Sequence, residues 1–347
     1  MRAAVFQGPG KPLVVQTVPD PAPGPAELVL AVRACGICGS DLHLSEIADT
    51  AGGMTPLPAG AVMGHEFAGE VAAVGRDVAG RFRVGDRVTA LPFIACGTCA
   101  ACLNGQGHRC PAVMSLGLGR VPGGYAEYVR VGVHETLALP AELDARTGAL
   151  VEPLSVGLHA VDLARVRPGD AVLVVGAGPI GLAVSLWARF LGAAHVIVSD
   201  LAPERADRAL RMGATAAVHA GREDVVAAVK RQCGGRRADI VFDCVGVPGS
   251  QQLAMDYAPV NGRVVVAGVC MQPDRILPVK AITKELEVRY VFGYGKRDFA
   301  VTIDMLARGR VDASALVSDV VAFDAFPAAF DALRTDKRQV KVLLEPR

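Results

Sequence analysis

A glycine-rich turn between an apolar run and a helix-like stretch constrains this chain more than any other feature. Val172–Val175 reads as a strand, and Gly176-Ala177-Gly178-Pro179-Ile180-Gly181 follows it directly. This is G-x-G-x-x-G at a strand-to-helix junction. Gly176 permits the tight turn, Gly178 lets backbone approach a pyrophosphate, and Gly181 lets helix and strand pack closely. The helix N-terminus, with Pro179 and Ile180 in its first turn, then faces the anion. Alone the motif is weak. Here the next strand, His195–Ser199, leads into Asp200, nineteen residues past Gly181. An acid at about that distance is the expected partner of a ribose hydroxyl, and its charge repels a 2′-phosphate. Leu201 and Ala202 follow it, so no Arg stands immediately beside it, and Arg205 is placed to reach the adenosine rim. The pattern predicts NAD rather than NADP. The competing reading of Asp200 is a helix N-cap-like acid before Pro203.

The rest of the chain divides around this turn. A length of 347 residues predicts two domains. The first 150 or so residues read as short strands broken by turn residues. Examples are Leu28–Val32, Val71–Val74, Arg87–Ala90 and Ala126–Val131. That spacing predicts a β-rich domain of barrel or sandwich type. From about residue 153, strands alternate with helices. Ala171–Val175, His195–Ser199, Ala216–His219, Asp239–Phe242 and Arg263–Ala267 are the strands. Ile180–Leu191, Glu204–Met212, Asp224–Gln232 and Ser250–Tyr257 are the helices. The alternation predicts an α/β unit with a doubly wound parallel sheet. From about Val288 the character is mixed again, with helices Phe299–Ala307 and Phe326–Leu333 and a final strand Val340–Leu344. The expected boundaries are 1–152 with 289–347 for the β-rich domain and 153–288 for the α/β domain.

Composition removes several function classes. Lys and Arg number 36 against 35 Asp and Glu, so no basic excess exists to grip nucleic acid. Aromatics are 5%, too few for a base-stacking platform. A long charge-free stretch, Ala171 to Ala188, reaches the length of a membrane span. It carries Gly176, Gly178, Pro179 and Gly181 in its middle and fits strand, turn and helix better. Neither a membrane nor a nucleic-acid partner is expected. Met1 to Asp20 has no long apolar core of a signal peptide, so the expectation is a cytoplasmic protein.

Nine cysteines, an odd number with no export signal, point to metal rather than disulfides. Cys96, Cys99, Cys102 and Cys110 form C-x2-C-x2-C-x7-C. Four thiolates close a tetrahedral zinc shell, so this set reads as a structural site. An Fe–S cluster is the functional competitor. Two further segments carry donors: Ala34-Cys35-Gly36-Ile37-Cys38-Gly39-Ser40-Asp41-Leu42-His43, and Gly64-His65-Glu66-Phe67-Ala68-Gly69 followed by Gly75. Cys38, His65 and Glu66 offer S, N and O ligands. A catalytic zinc takes about three protein ligands and leaves a position for water or substrate. Asp41 is placed to orient the His65 ring. A redox pair of Cys35 and Cys38 is the weaker reading, because no thioredoxin-like pattern surrounds it.

These residues, in this order, resemble the zinc-dependent medium-chain dehydrogenase/reductase family of alcohol, sorbitol, butanediol and threonine dehydrogenases. The resemblance spans nearly the whole chain. It rests on Gly36–His43, the G-H-E run from Gly64 to Gly75, the four-cysteine lobe, Glu152-Pro153-Leu154-Ser155 and the glycine-rich turn. It implies a GroES-like β-rich catalytic domain and a Rossmann cofactor domain. It implies two zinc ions per chain, one structural and one catalytic, with the catalytic ion on Cys38 and His65. Glu66 and Glu152 are both carboxylate candidates, and either could bind directly. Ser40 and His43 are implied as a proton relay, and Cys244, Gly246 and Gly268, at the ends of strands, as neighbours of the nicotinamide.

The implied reaction is hydride transfer between an alcohol and NAD, interconverting the alcohol with a ketone or aldehyde. Polyol members place an Arg after a Val-Phe pair in the return segment. Here Val291-Phe292 is followed by Gly293-Tyr294. The expected pocket neighbours Leu44, Leu57, Phe93, Met114 and Leu116 are apolar. A site for several hydroxyls would present hydrogen-bonding groups. The expected substrate is therefore a relatively apolar secondary alcohol, with polyols and vicinal diols as the alternative. A zinc-free quinone or enoyl reductase of the same superfamily would lack the Cys38 and His65 ligands. A non-catalytic NAD- and zinc-binding sensor or structural protein is the remaining rival. The resemblance also implies a homodimer or homotetramer.

Overall fold

The computed structural model describes residues 1–49, 55–78, 80–119, 121–336 and 338–346. The chain forms two compact units. The first comprises Met1–Glu152, Tyr294–Arg310 and Val317–Arg347, and the second Pro153–Gly293 and Val311–Leu316.

The first unit is built around the strand Glu27–Gly36, whose ten residues are almost all buried. It pairs antiparallel with Glu66–Val74, Tyr128–Gly132 and Lys341–Leu344. Among the described residues, seven strands make up this sheet. Both faces of Leu28–Val32 are buried, which is why this part of the strand reads as a continuous apolar run rather than an alternating one. Its register matters for chemistry. Gly36 lies opposite Glu66, and Cys35 opposite both Phe67 and Leu344. The turn holding Cys38 is thereby brought beside His65 and Glu66, and beside the start of the last strand. The chain then enters the helix Gly39–Leu44, six residues long. That is too short for a periodic apolar signal, which is why it is not visible in the sequence.

The second unit holds a parallel sheet of six strands among the described residues. In sheet order they are Ala216–His219, His195–Asp200, Ala171–Val175, Ile240–Asp243, Arg263–Val266 and Glu287–Tyr290. Numbered along the chain, the order is 3-2-1-4-5-6, that of a dinucleotide-binding doubly wound sheet. All five residues of Ala171–Val175 are buried, as a central parallel strand requires. It continues through the glycine turn into the helix Pro179–Phe190. Trp187 on that helix is fully buried, and its indole N–H donates to the Leu154 carbonyl at 2.8 Å. This fixes the helix to the preceding one, Val151–Leu163.

The boundaries differ from expectation at two places. Glu287–Tyr290 is the sixth parallel strand, so the second unit runs through Gly293 rather than ending at 288. Its Glu-Val-Arg-Tyr sequence is only partly buried because it lies at the sheet edge, and it gives no apolar run. Val311–Leu316 also belong to the second unit, where the Arg208 guanidinium donates to the Ala315 carbonyl at 2.9 Å. The remaining boundary, between Glu152 and Pro153, falls inside a helix. Pro153 is tolerated there because it stands in the first turn, where backbone N–H groups have no helical partner. Among the described residues no helix is long and apolar enough to cross a membrane.

Candidate functional site

The strand register described above gathers Cys38, His65 and Glu66 into one cluster. One ligand atom from each lies within 4.8 Å of the others. His65 and Glu66 are buried and Cys38 is partly exposed. His65 Nδ1 faces Asp41 Oδ1 at 3.2 Å, so Nε2 is the ring atom turned away from that carboxylate and the one that could hold a metal. Burial alone would lower the His65 pKa. The Asp41 carboxylate and the Cys38 sulfur outweigh burial and hold it well above its ordinary value. Such a ring binds a proton or a metal cation at Nε2.

The two carboxylates of the sequence reading stand differently. Both Glu66 oxygens accept from the fully buried Lys341 ammonium, each at 2.6 Å. The third Lys341 donor goes to the Ile37 carbonyl at 2.9 Å. Glu152, in the first turn of its helix, lies outside the 4.8 Å set. Its Oε1 accepts from the Tyr294 hydroxyl at 2.5 Å. Burial pushes Glu152 up to about 7, with the Glu66 charge adding to it, while His65, Tyr294 and Lys341 pull the other way. Tyr294 itself is buried and stacks on Phe299, ring centroids 5.3 Å apart. Lys341 and Tyr294 were not recognisable as site residues from sequence.

Ser40, on the helix Gly39–Leu44, places its Oγ 3.5 Å from His65 Nε2. His43 is exposed in the last turn of the same helix. Of the expected pocket residues, Leu44, Leu57, Phe93 and Leu116 are buried, while Met114 is 36% exposed.

The cysteine lobe is tighter. The Sγ atoms of Cys96, Cys99, Cys102 and Cys110 all lie within 4.8 Å of one another. Cys99 and Cys102 are 3.5 Å apart, and Cys96 and Cys102 are 3.9 Å apart. A tetrahedron with about 2.3 Å zinc–sulfur bonds has edges of about 3.8 Å. Both of these separations lie within about 0.3 Å of that edge, so the donor set fits zinc. Backbone N–H groups of Thr98 and Cys99 draw Cys96 down to about 6, whereas burial and neighbouring thiols push Cys102 up to about 12. Four thiols this close ionise together only around a cation.

In the second unit, Asp200 meets the glycine turn. Asp200 Oδ2 accepts from the Ala177 N–H at 2.7 Å, and Oδ1 from the Ala202 N–H at 2.8 Å. Gly176 has φ +95°, and a Cβ at Gly181 would lie 1.9 Å from the Gly176 carbonyl oxygen. Neither position admits another residue without moving the turn. Gly178 is the N-cap, with Pro179 and Ile180 opening the helix. Arg205 lies half-buried on the helix Pro203–Ala209. Cys244 and Gly246 follow the strand Ile240–Asp243, and Gly268 follows Arg263–Val266. A Cβ at Gly268 would lie 2.3 Å from the Gly246 nitrogen, so the two loops pack backbone on backbone.

Comparison with known proteins bears on this arrangement. The family model for the alcohol dehydrogenase GroES-like domain matches residues 24–141, and that for zinc-binding dehydrogenase matches 179–308. The chain belongs to the zinc-dependent medium-chain dehydrogenase/reductase family. It is 33% identical to the sorbitol dehydrogenase of Bacillus subtilis, over 100% of this chain and 97% of that one. It is 34% identical to the (R,R)-butanediol dehydrogenase of the same organism, over 97% of each. Its structure is similar to that of a zinc-binding dehydrogenase from Sinorhizobium meliloti bound to NADP, with TM-score 0.88, 33% identity, and 99% of each chain covered. This dehydrogenase is thus a zinc-type oxidoreductase that uses a nicotinamide cofactor.

Proposed function

We propose that this dehydrogenase interconverts a relatively apolar secondary alcohol with its ketone, using NAD. The observation that carries the reading is the convergence of Cys38, His65 and Glu66 within 4.8 Å beside Ser40. When bound, zinc supplies a Lewis acid that makes an alcohol hydroxyl more acidic, and NAD supplies the hydride acceptor. Cys38 and His65 hold the metal, and Glu66 and Glu152 complete the charge around it. The four-cysteine lobe holds a second, structural zinc. The Ser40 hydroxyl accepts the alcohol proton as it gives up its own, and the exposed His43 passes a proton on to solvent, a step suited to an imidazole.

Asp200 supports NAD over NADP. Its two oxygens are pinned by backbone N–H groups, so its negative charge stays fixed beside the glycine turn. A cofactor phosphate there meets that charge. The NADP-bound relative keeps the other choice in view. For the substrate, the absence of an Arg after Val291-Phe292, where Gly293-Tyr294 stand instead, supports the less polar class. The Tyr294–Glu152 pair favours a second reading, a vicinal diol, because it offers a polar anchor. Initial rates with cyclohexanol, 2,3-butanediol and sorbitol, each with NAD and NADP, separate these. The expected order in kcat/KM is cyclohexanol, butanediol, sorbitol, with NAD ahead of NADP by about tenfold or more. Sorbitol ahead of cyclohexanol rejects the apolar pocket, and parity of the cofactors rejects the role of Asp200.

The parallel sheet supports a homo-oligomer. Glu287–Tyr290 ends it on one side, with Tyr290 63% exposed and Phe292 69% exposed nearby. An open strand edge with large apolar side chains is stable when a second copy pairs with it. Sedimentation should give at least a dimer, and Tyr290→Lys should shift it towards monomer. An unchanged assembly in the variant places the interface elsewhere.

A further inference from the structure

Tyr125 is fully buried, and nothing in the reaction described above uses it. Its hydroxyl donates to Asp41 Oδ2 at 2.5 Å, with the Gly36 carbonyl farther away at 3.4 Å. Asp41 is also fully buried. The same Oδ2 accepts from the Cys38 backbone N–H at 3.1 Å, and Oδ1 faces His65 Nδ1 at 3.2 Å. The Asp41 carboxylate therefore ties together the backbone of one proposed zinc ligand, the ring of another, and Tyr125.

Tyr125 is held from several directions at once. Its ring packs edge-on against Phe326, with centroids 4.8 Å apart, and against Phe330 at 6.2 Å. On another side lies Gly64, at φ +97°, where a Cβ would come within 2.4 Å of the ring. Gly64 immediately precedes His65. The backbone of the tyrosine's own segment is strapped to the same stretch. Gly123, Gly124 and Tyr125 donate their N–H groups to the carbonyls of Val62, Gly64 and Met63 at 2.9, 2.7 and 2.9 Å. The approach to His65 is thus fixed through the backbone, and the ring of His65 through Asp41. The tyrosine joins both.

We propose that Tyr125 is a positioning residue for the catalytic metal, its hydroxyl locking the Asp41 carboxylate so that Cys38 and His65 are presented in one fixed arrangement. This rests on the reading that Cys38 and His65 hold zinc. A carboxylate pinned at one oxygen by two donors cannot swing away from the histidine it orients. With the hydroxyl gone, the Cys38 N–H is the one donor among the described residues that restrains that oxygen. Groups behind a metal ligand of this kind contribute about 10- to 100-fold to metal affinity when they touch the ligand. Tyr125 acts one bond further back, so about tenfold is expected.

The test compares Tyr125→Phe with Phe330→Leu in the full chain. The first removes one oxygen and keeps the ring; the second loosens the ring and keeps the hydroxyl. Zinc content and affinity are measured by competition with a chromogenic chelator, and ligand geometry by the visible absorption of the Co2+-substituted protein. Melting temperature reports general damage. The expected result is that Tyr125→Phe weakens the catalytic zinc about tenfold and alters the cobalt bands, while the cysteine-lobe zinc is retained. Phe330→Leu should lower the melting temperature without moving either metal readout. Unchanged zinc affinity and cobalt absorption in Tyr125→Phe overturn the proposal. So does an equal change in Phe330→Leu, which would make the role one of packing. A wild-type protein that holds zinc only at the cysteine lobe overturns the reading of Cys38 and His65, and the proposal with it.

Discussion

Replacing Cys38 by Ser is expected to lower kcat/KM by more than about a thousandfold while leaving the chain folded and the cysteine-lobe zinc in place. The size follows from what the sulfur does. A metal held by about three protein ligands loses its only soft anionic donor, and a serine hydroxyl does not ionise near neutral pH to replace it. Losing one preorganised electrostatic contact to a reacting oxygen already costs about 10²–10³ in rate, and losing the metal removes the whole Lewis acid. The local fold should survive. The Cys38 contact that shapes the backbone is its N–H to Asp41, which serine keeps. Zinc per chain by atomic emission should fall from two to one, in step with NADH formation. Full turnover with zinc at the lobe alone would remove Cys38 from the mechanism. The contrasting variant is Cys110→Ser. Cys110 is buried, and the Cys96 and Ala112 N–H groups donate to its sulfur. That change should lower the melting temperature and release the other zinc.

The chemistry most legible in the sequence is local in the chain. The four thiols lie within fifteen residues, and the glycine turn and Asp200 within one strand–helix–strand unit. Their spacing alone carries their geometry. The contacts that tune the proposed catalytic site span long separations instead. Tyr125 is 84 residues from Asp41, Tyr294 is 142 from Glu152, and Lys341 is 275 from Glu66. A lone tyrosine, or a lysine at the start of an apolar strand, carries no spacing signal. Only the pairing of the last strand with Glu27–Gly36 brings Lys341 to the site. The edge strand Glu287–Tyr290 was hidden for a related reason. At the sheet edge all four of its residues are at least partly exposed, and Glu287 and Arg289 interrupt any apolar run, so the sequence alone marks the end of the α/β unit a few residues early.

Lys341→Met is the substitution expected to cost the most stability, about 3–5 kcal/mol. Lys341 and Glu66 are both completely buried, and the ammonium has all three donors satisfied. An intact buried pair of this sort is close to neutral for stability, because desolvation offsets attraction. Removing one partner is different, since the other charge stays in the interior without compensation. The pH dependence separates these effects. Burial by itself would lower the Lys341 pKa, but the Glu66 carboxylate outweighs it and holds the pKa above 10.5. A lysine raised in the folded state contributes stability that is complete below its unfolded value. That contribution is lost only as pH rises through the higher folded value. Lys341 therefore adds no slope to the wild-type protein between about pH 6 and pH 9. In the variant, the lone buried carboxyl is destabilising while ionised and less so once protonated. The gap between wild type and variant should thus narrow as pH falls and widen towards neutrality. Glu66→Gln combined with Lys341→Met removes the unpaired charge, so it should recover part of the loss and abolish the slope. Zinc supplies a further check. Glu66 stands within 4.8 Å of Cys38 and His65, so a bound cation takes over part of the ammonium's role. Urea unfolding of Lys341→Met should show a smaller loss in the zinc-loaded protein than after chelation. An equal loss in both would mean that Glu66 does not feel the metal, and that Glu152 alone supplies the carboxylate of the site.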